Sequence, residues 1–109
     1  MKQVVIATVL AAVSFGTHAA VDAAKAHELA SKNACTGCHA VDKKLVGPAY
    51  QDVAAKYKGQ KDAVTALVKT IKAGGSGTWG AIPMPPNAGI SEADAKIVVE
   101  WILAGAPAK

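Results

Sequence analysis

Apolar residues recur along this chain at helical spacing, in runs separated by glycine and proline. From Asp22 to Asn33 they form a narrow stripe of small residues. Ala23, Ala26 and Ala30 lie three or four apart, with Leu29 and Ala34 one turn over. This predicts a first helix capped by Asp22, in close contact with another helix and running directly into Cys35. A short second helix is expected from Ala49 to Lys58, with Val53, Ala54 and Tyr57 inward and Gly59 at its end. A third begins at Gln60 or Asp62 and runs to Ala73. Its Val64, Leu67, Val68 and Ile71 fall at i, i+3, i+4 and i+7, and Gly74-Gly75 ends it. Ser91-Glu92-Ala93-Asp94 has the form of a capping box and opens a last helix to about Ala104. Its expected inner face is Ile97, Val98, Trp101 and Ile102, packed on the first helix. Gly74 to Ile90 has no helical period, and no strand leads into a βαβ pattern. The fold class is all-α.

The N-terminal pattern is of another kind. Met1-Lys2-Gln3 is a short positive start, Val4 to Phe15 is apolar apart from Thr8 and Ser14, and small residues follow to Ala20. That order is a secretory signal peptide. Thr17 and Ala19 suit the recognition positions for cleavage after Ala19. The apolar run is about a dozen residues, short of the ~20 that a spanning helix needs. Residues 1–19 are therefore assigned to the leader and 20–109 to one small exported domain. The expected location is the periplasm, with no membrane insertion after cleavage. Such a domain has a thin core. The only Phe is Phe15, inside the leader, so something else has to supply apolar bulk.

Cys35-Thr36-Gly37-Cys38-His39 identifies that bulk. Cys-x-x-Cys-His is the attachment signature of c-type haem. Two thiols one turn apart can add to two vinyl groups of one porphyrin, and the next residue then offers an imidazole to the iron. Thr36 and Gly37 are small enough not to obstruct the ring. A disulfide, a thioredoxin-type centre or half a zinc site would use the same two thiols. The missing strand argues against the second. The third has only His27 and His39 as further histidines after the leader, and His39 adjoins Cys38 too closely to share a tetrahedral site easily. His27 itself reads as a surface histidine.

A haem imposes further needs. The second nitrogen of His39 needs a hydrogen-bond acceptor to fix the ring and tune its basicity. A carbonyl near Pro48, nine residues on, is the candidate, although Pro48 also suits a helix start. The other face of the iron needs a ligand. Met84 is the only Met besides the initiator, and Pro83, Pro85 and Pro86 stiffen the loop around it. A thioether is a soft ligand suited to haem iron. His39 and Met84 are thus the expected metal ligands. Trp79 on the same loop is either a donor to a haem propionate or core packing. Asn87 is expected to bond the Met84 sulfur or a loop carbonyl. Glycines at 74, 75, 77 and 80 resemble a phosphate cradle only superficially, since no Gly-Lys-Ser/Thr ending follows.

Charge narrows the partners. Twelve basic residues, all Lys, stand against 8 acidic ones, for a formal net charge of +4. Loss of Lys2 with the leader removes one unit, and two propionates would remove two more. With no Arg and no basic run longer than two, nucleic acid is not the partner. Lys43, Lys44, Lys56, Lys58 and Lys61 lie near one another in sequence. They form either a solvated face or a surface that steers the protein to an acidic partner.

With these residues in view, the part after the leader resembles the short-chain bacterial class I monohaem cytochromes c. These donate electrons to periplasmic nitrite reductase and to terminal oxidases. The matching stretches are Cys35 to Ala40, Val46-Gly47-Pro48-Ala49-Tyr50, Asp52 to Lys56, Trp79-Gly80, Ile82 to Asn87, and a final helix holding Trp101. The resemblance implies four or five helices around one haem c, held by thioethers from Cys35 and Cys38. It implies His39 and Met84 as axial pair, Pro48 as proximal support, Trp79 as propionate donor and Asn87 as support for Met84. Two departures stand out. The family commonly has an aromatic residue in the first helix, where this chain has Leu29 and Ala30. It also often has a basic residue before the Met loop, where this chain has Thr70, with Lys69 and Lys72 nearby. The function implied is single-electron transfer by a monomeric carrier, not an enzyme. Its redox partners would be a membrane donor complex and a periplasmic reductase or terminal oxidase. The alternatives are a haem enzyme, a gas-binding sensor, or a haem subunit of a larger complex.

Overall fold

The structure is a computed structural model and describes residues 21–108. The leader assigned to residues 1–19 lies outside the described residues. Four helices follow in order: α1 Ala23–Lys32, α2 Tyr50–Tyr57, α3 Ala63–Ala73 and α4 Glu92–Leu103. A 3-10 turn at Cys35–Gly37 separates α1 from α2. Among the described residues the only β pairing is two isolated bridges, His39 with Lys44 and Gly75 with Met84.

Local chemistry sets the helix ends. Asp22 Oδ1 accepts from the Lys25 amide at 3.0 Å, the expected N-cap. The other end differs from expectation, because α1 does not continue into Cys35. The backbone N–H and the side-chain Nδ2 of Asn33 both donate to Leu29 O, at 3.0 and 2.8 Å, and close the last turn. Ala34 then turns left-handed, with φ 62°, and the cysteine turn starts in a new direction. Gly74, with φ 76°, ends α3 and donates to Thr70 O at 2.7 Å. Ser91 Oγ accepts from the Asp94 amide at 3.1 Å and starts α4.

Helix α4 organises the packing. Val98, Trp101 and Ile102 join Ala26 and Leu29 of α1 and Tyr50 and Val53 of α2 in one cluster. Ala95 and Val99 join Val68, Ile71 and Ile90 in a second, on the α3 side. The expected contact with α1 is therefore one of three, and the buried arc is wider than the expected face. Val99 is buried, whereas Ile97 is only half-buried. The Trp101 indole N–H donates to Pro107 O at 2.9 Å, so the chain end folds back over the core. His27 is not a free surface histidine. Its ring lies edge-on to Trp101, with centroids 4.7 Å apart, because Ala26 and Ala30 let α1 approach α4 closely.

Candidate haem site

The cysteine turn is a short hydrogen-bonded coil. The amides of Cys38 and His39 both donate to Cys35 O, at 3.2 and 3.0 Å. This brings both thiols and the imidazole to one wall of a cavity of about 300 Å³. Burial raises the Cys35 pKa, and the neighbouring Cys38 adds to the rise against an opposing backbone hydrogen bond.

The segment after His39 fixes the imidazole. Gly47 N–H donates to Cys38 O at 2.8 Å, which folds residues 40–47 back on the turn. Pro48 O then lies 2.7 Å from His39 Nδ1. With the proton on Nδ1, the ring donates to that carbonyl and Nε2 keeps its lone pair. Gly47 sits directly against the ring. A Cβ there would lie 2.5 Å from His39 Cε1 and 2.9 Å from Nδ1. Tyr50 stacks on the ring at 5.4 Å between centroids, with planes 21° apart. The first amides of α2 hold this arrangement in place, since Tyr50 N donates to Ala40 O and Gln51 N to Val41 O, at 2.9 and 3.0 Å.

The loop between α3 and α4 brings Met84 to the same cavity. Gly75 and Met84 exchange two backbone hydrogen bonds, at 3.1 and 2.8 Å. Only glycine fits at position 74, where φ is positive and a Cβ would lie 2.7 Å from Met84 O. Trp79 also lines the cavity and belongs to neither buried cluster. Lys56 Nζ stands 5.4 Å from the centre of its ring. Asn87 does not line the cavity. Its amide N–H donates to Ile71 O at 2.8 Å and its Nδ2 to Asn33 O at 3.1 Å, tying the loop to α3 and to the end of α1.

Cys35, Cys38, His39, Pro48, Trp79 and Met84, separated by up to 49 positions in sequence, thus line one cavity. The cavity fits a large apolar group with a few polar atoms. Val53, Leu67, Ile71, Val98 and Ile102 line it. The buried Tyr50 hydroxyl has no hydrogen-bond partner among the described residues. Its pKa is pushed well above the ordinary tyrosine value, by burial first and by Cys35 second, so it remains a donor. Thr70 lines the cavity while its hydroxyl donates to Ala66 O at 3.1 Å.

A family model described as Cytochrome c matches residues 23–106. The chain belongs to the cytochrome c family. Cytochrome c-552 of Nitrosomonas europaea is 57% identical to it over 76 residues, 70% of this chain and 74% of that protein. Cytochrome c-551 of Azotobacter vinelandii is 57% identical over 76 residues, 70% of this chain and 92% of that one. The crystal structure of the wild-type Nitrosomonas europaea cytochrome c552 matches with a TM-score of 0.70 at 55% identity, covering 72% of this chain and 96% of that one.

This cytochrome c is of the short class I monohaem type and is an electron carrier, with one haem c joined through Cys35 and Cys38. Motif reading reached the cavity's cysteines, its histidine and its methionine. It gave no separate role to Gly47 and Tyr50, which both lie against the imidazole. A signal was present, since both belong to Val46-Gly47-Pro48-Ala49-Tyr50. Nothing in the linear pattern pointed to Asn33, whose carbonyl receives Asn87 from 54 residues away.

Proposed function

We propose that His39 and Met84 are the axial ligands of the haem iron and that the protein shuttles single electrons in the periplasm as a free monomer without catalysis of its own. When bound, the haem supplies a one-electron Fe(III)/Fe(II) couple. The observation that carries the reading is the placing of both side chains on one cavity by anchored backbone. His39 is fixed by Pro48 O and Gly47, and Met84 by its paired bonds with Gly75. Rigid ligands on both sides leave little to rearrange when charge changes, which favours transfer over chemistry at the iron. A thioether ligand raises the potential relative to a second imidazole. The leader over residues 1–19 supports export. Trp79, at the cavity wall, fits a propionate donor, and Asn87 fits a tether of the ligand loop.

Docking surfaces at the cavity mouth support a carrier role. Val46 and Ile82 line the cavity and are 52% and 67% exposed. Lys44 lines the same rim, Lys56 stands by Trp79, and Lys43, Lys58 and Lys61 are exposed. An apolar rim bordered by ammonium groups suits brief, salt-sensitive encounters with acidic redox proteins. The membrane donor would be an electron-transport complex, and the acceptor a periplasmic reductase such as nitrite reductase, or a terminal oxidase.

The deciding test is the visible spectrum of the protein matured with its haem. The expected result is a low-spin c-type spectrum with the weak red sulfur-to-iron band in the oxidised form. Met84→Ala should keep the covalent haem, lose that band, lower the potential and admit carbon monoxide in the reduced form. A wild-type spectrum without the band that changes on adding carbon monoxide would replace this reading with a ligand-binding or enzymatic one.

A further inference from the structure

We propose that Lys72 is a positioning residue that latches the Met84 loop against α3 and so limits how often that loop opens. The inference rests on Met84 being an iron ligand. Lys72 lies in the last turn of α3 and is half-buried. Its Nζ donates to Ile90 O at 2.6 Å, across 18 residues of chain. A basic residue at a helix C-terminus ordinarily faces water or its own helix's last carbonyls. This one reaches instead to the far end of the loop that α3 leads into.

The loop needs such a tie. Among the described residues, the backbone bonds made between positions 75 and 86 lie within the loop itself, from Gly75 to Met84 and back and from Gly77 N–H to Gly80 O. A segment bonded mainly to itself is kept closed by its few attachments to the rest of the fold, and these set how often it opens. Met84 is held upstream by Gly75, and Asn87 holds the middle through Ile71 O and Asn33 O. Ala88 and Gly89 are exposed, and then Ile90, only 2% exposed, enters the core with Val68, Ile71, Ala95 and Val99. Lys72 pins the loop at that point of entry. Thr70, two residues earlier, is bonded to its own helix. The Lys72 ammonium group is engaged by the loop end, and Lys72 is not among the residues lining the cavity.

A hydrogen bond from a charged donor, partly exposed as here, corresponds to about a tenfold change in an opening equilibrium. The test uses the full haem-bearing protein with imidazole as the probe, because exogenous imidazole binds only when Met84 swings away. Lys72→Met removes the ammonium and keeps the stem, Lys72→Arg retains a charged donor, and Lys69→Met removes an exposed charge from the same helix. Lys72→Met should bind imidazole roughly ten times more readily, whereas Lys72→Arg and Lys69→Met should stay close to wild type. Amide exchange at Met84 and Asn87 should accelerate by the same factor in Lys72→Met, with the α4 amides unchanged. Equal imidazole binding by wild type and Lys72→Met, or an equal gain in Lys69→Met, would overturn the latch. A wild-type protein lacking the sulfur-to-iron band would instead remove the Met84 reading, and the latch with it.

Discussion

Position 47 has no room for a side chain. The plane of His39 lies where a Cβ would go, with Tyr50 stacked on the ring as well, so the imidazole is gripped and cannot tilt. Gly47→Ala should therefore force the ring away from Pro48 O. The expected cost is about 1–3 kcal/mol of stability, the usual range for overpacking. Chemical denaturation of the haem-bearing protein would measure it, and the Nδ1 proton resonance should shift as the bond to Pro48 weakens. Ala34 is strained in another way, since a left-handed conformation is costly for a residue with a Cβ. The surrounding bonds from Asn33 and the cysteine turn hold it there.

Among the elements, α4 belongs to both hydrophobic clusters, and each of the other three helices packs on it. Trp101 is its largest fully buried side chain and touches His27 of α1 and Tyr50 of α2. Through Tyr50 the same contact reaches His39. Trp101→Ala should lower stability by about 3–5 kcal/mol, as for other large buried aromatics. A domain this small holds only about 5–15 kcal/mol in total. Denaturant unfolding should show a midpoint near collapse. A loss under 1 kcal/mol would mean that α4 is not the shared support described here.

For the whole molecule, the charge arrangement matters more than the net charge. Lys44 and Lys56 border the cavity mouth, next to exposed Val46, Trp79 and Ile82. Converting Lys43, Lys44, Lys56 and Lys58 to Gln should slow electron transfer to an acidic partner by roughly tenfold at low salt, within the usual range for electrostatic steering. At high salt, where screening removes the steering, the two proteins should converge. An unchanged salt slope would make these lysines an ordinary solvated face.

Much of this protein is legible in its residue pattern, because the signals are local. Asp22 and Ser91 mark helix starts, Gly74 marks an end, and Val64 to Ile71 marks a helix face, each within a turn or two of chain. Cys35 to His39 names its cofactor for the same reason, since the attachment chemistry needs only five consecutive residues. What the sequence left open depends on distance through space. The break at Ala34 depends on how Asn33 folds back on Leu29. The seating of His27 on Trp101, the grip of Gly47 and Tyr50 on His39, the joining of Asn87 to Asn33 and the reach of Lys72 to Ile90 all pair groups from separate elements. By itself the sequence determined four helices, a haem-attachment turn and a proline-stiffened methionine loop. Only the tertiary structure decided that α4 joins two cores and which backbone carbonyls hold the loop and the histidine, because hydrogen-bond partners distant in sequence are chosen by packing and not by periodicity.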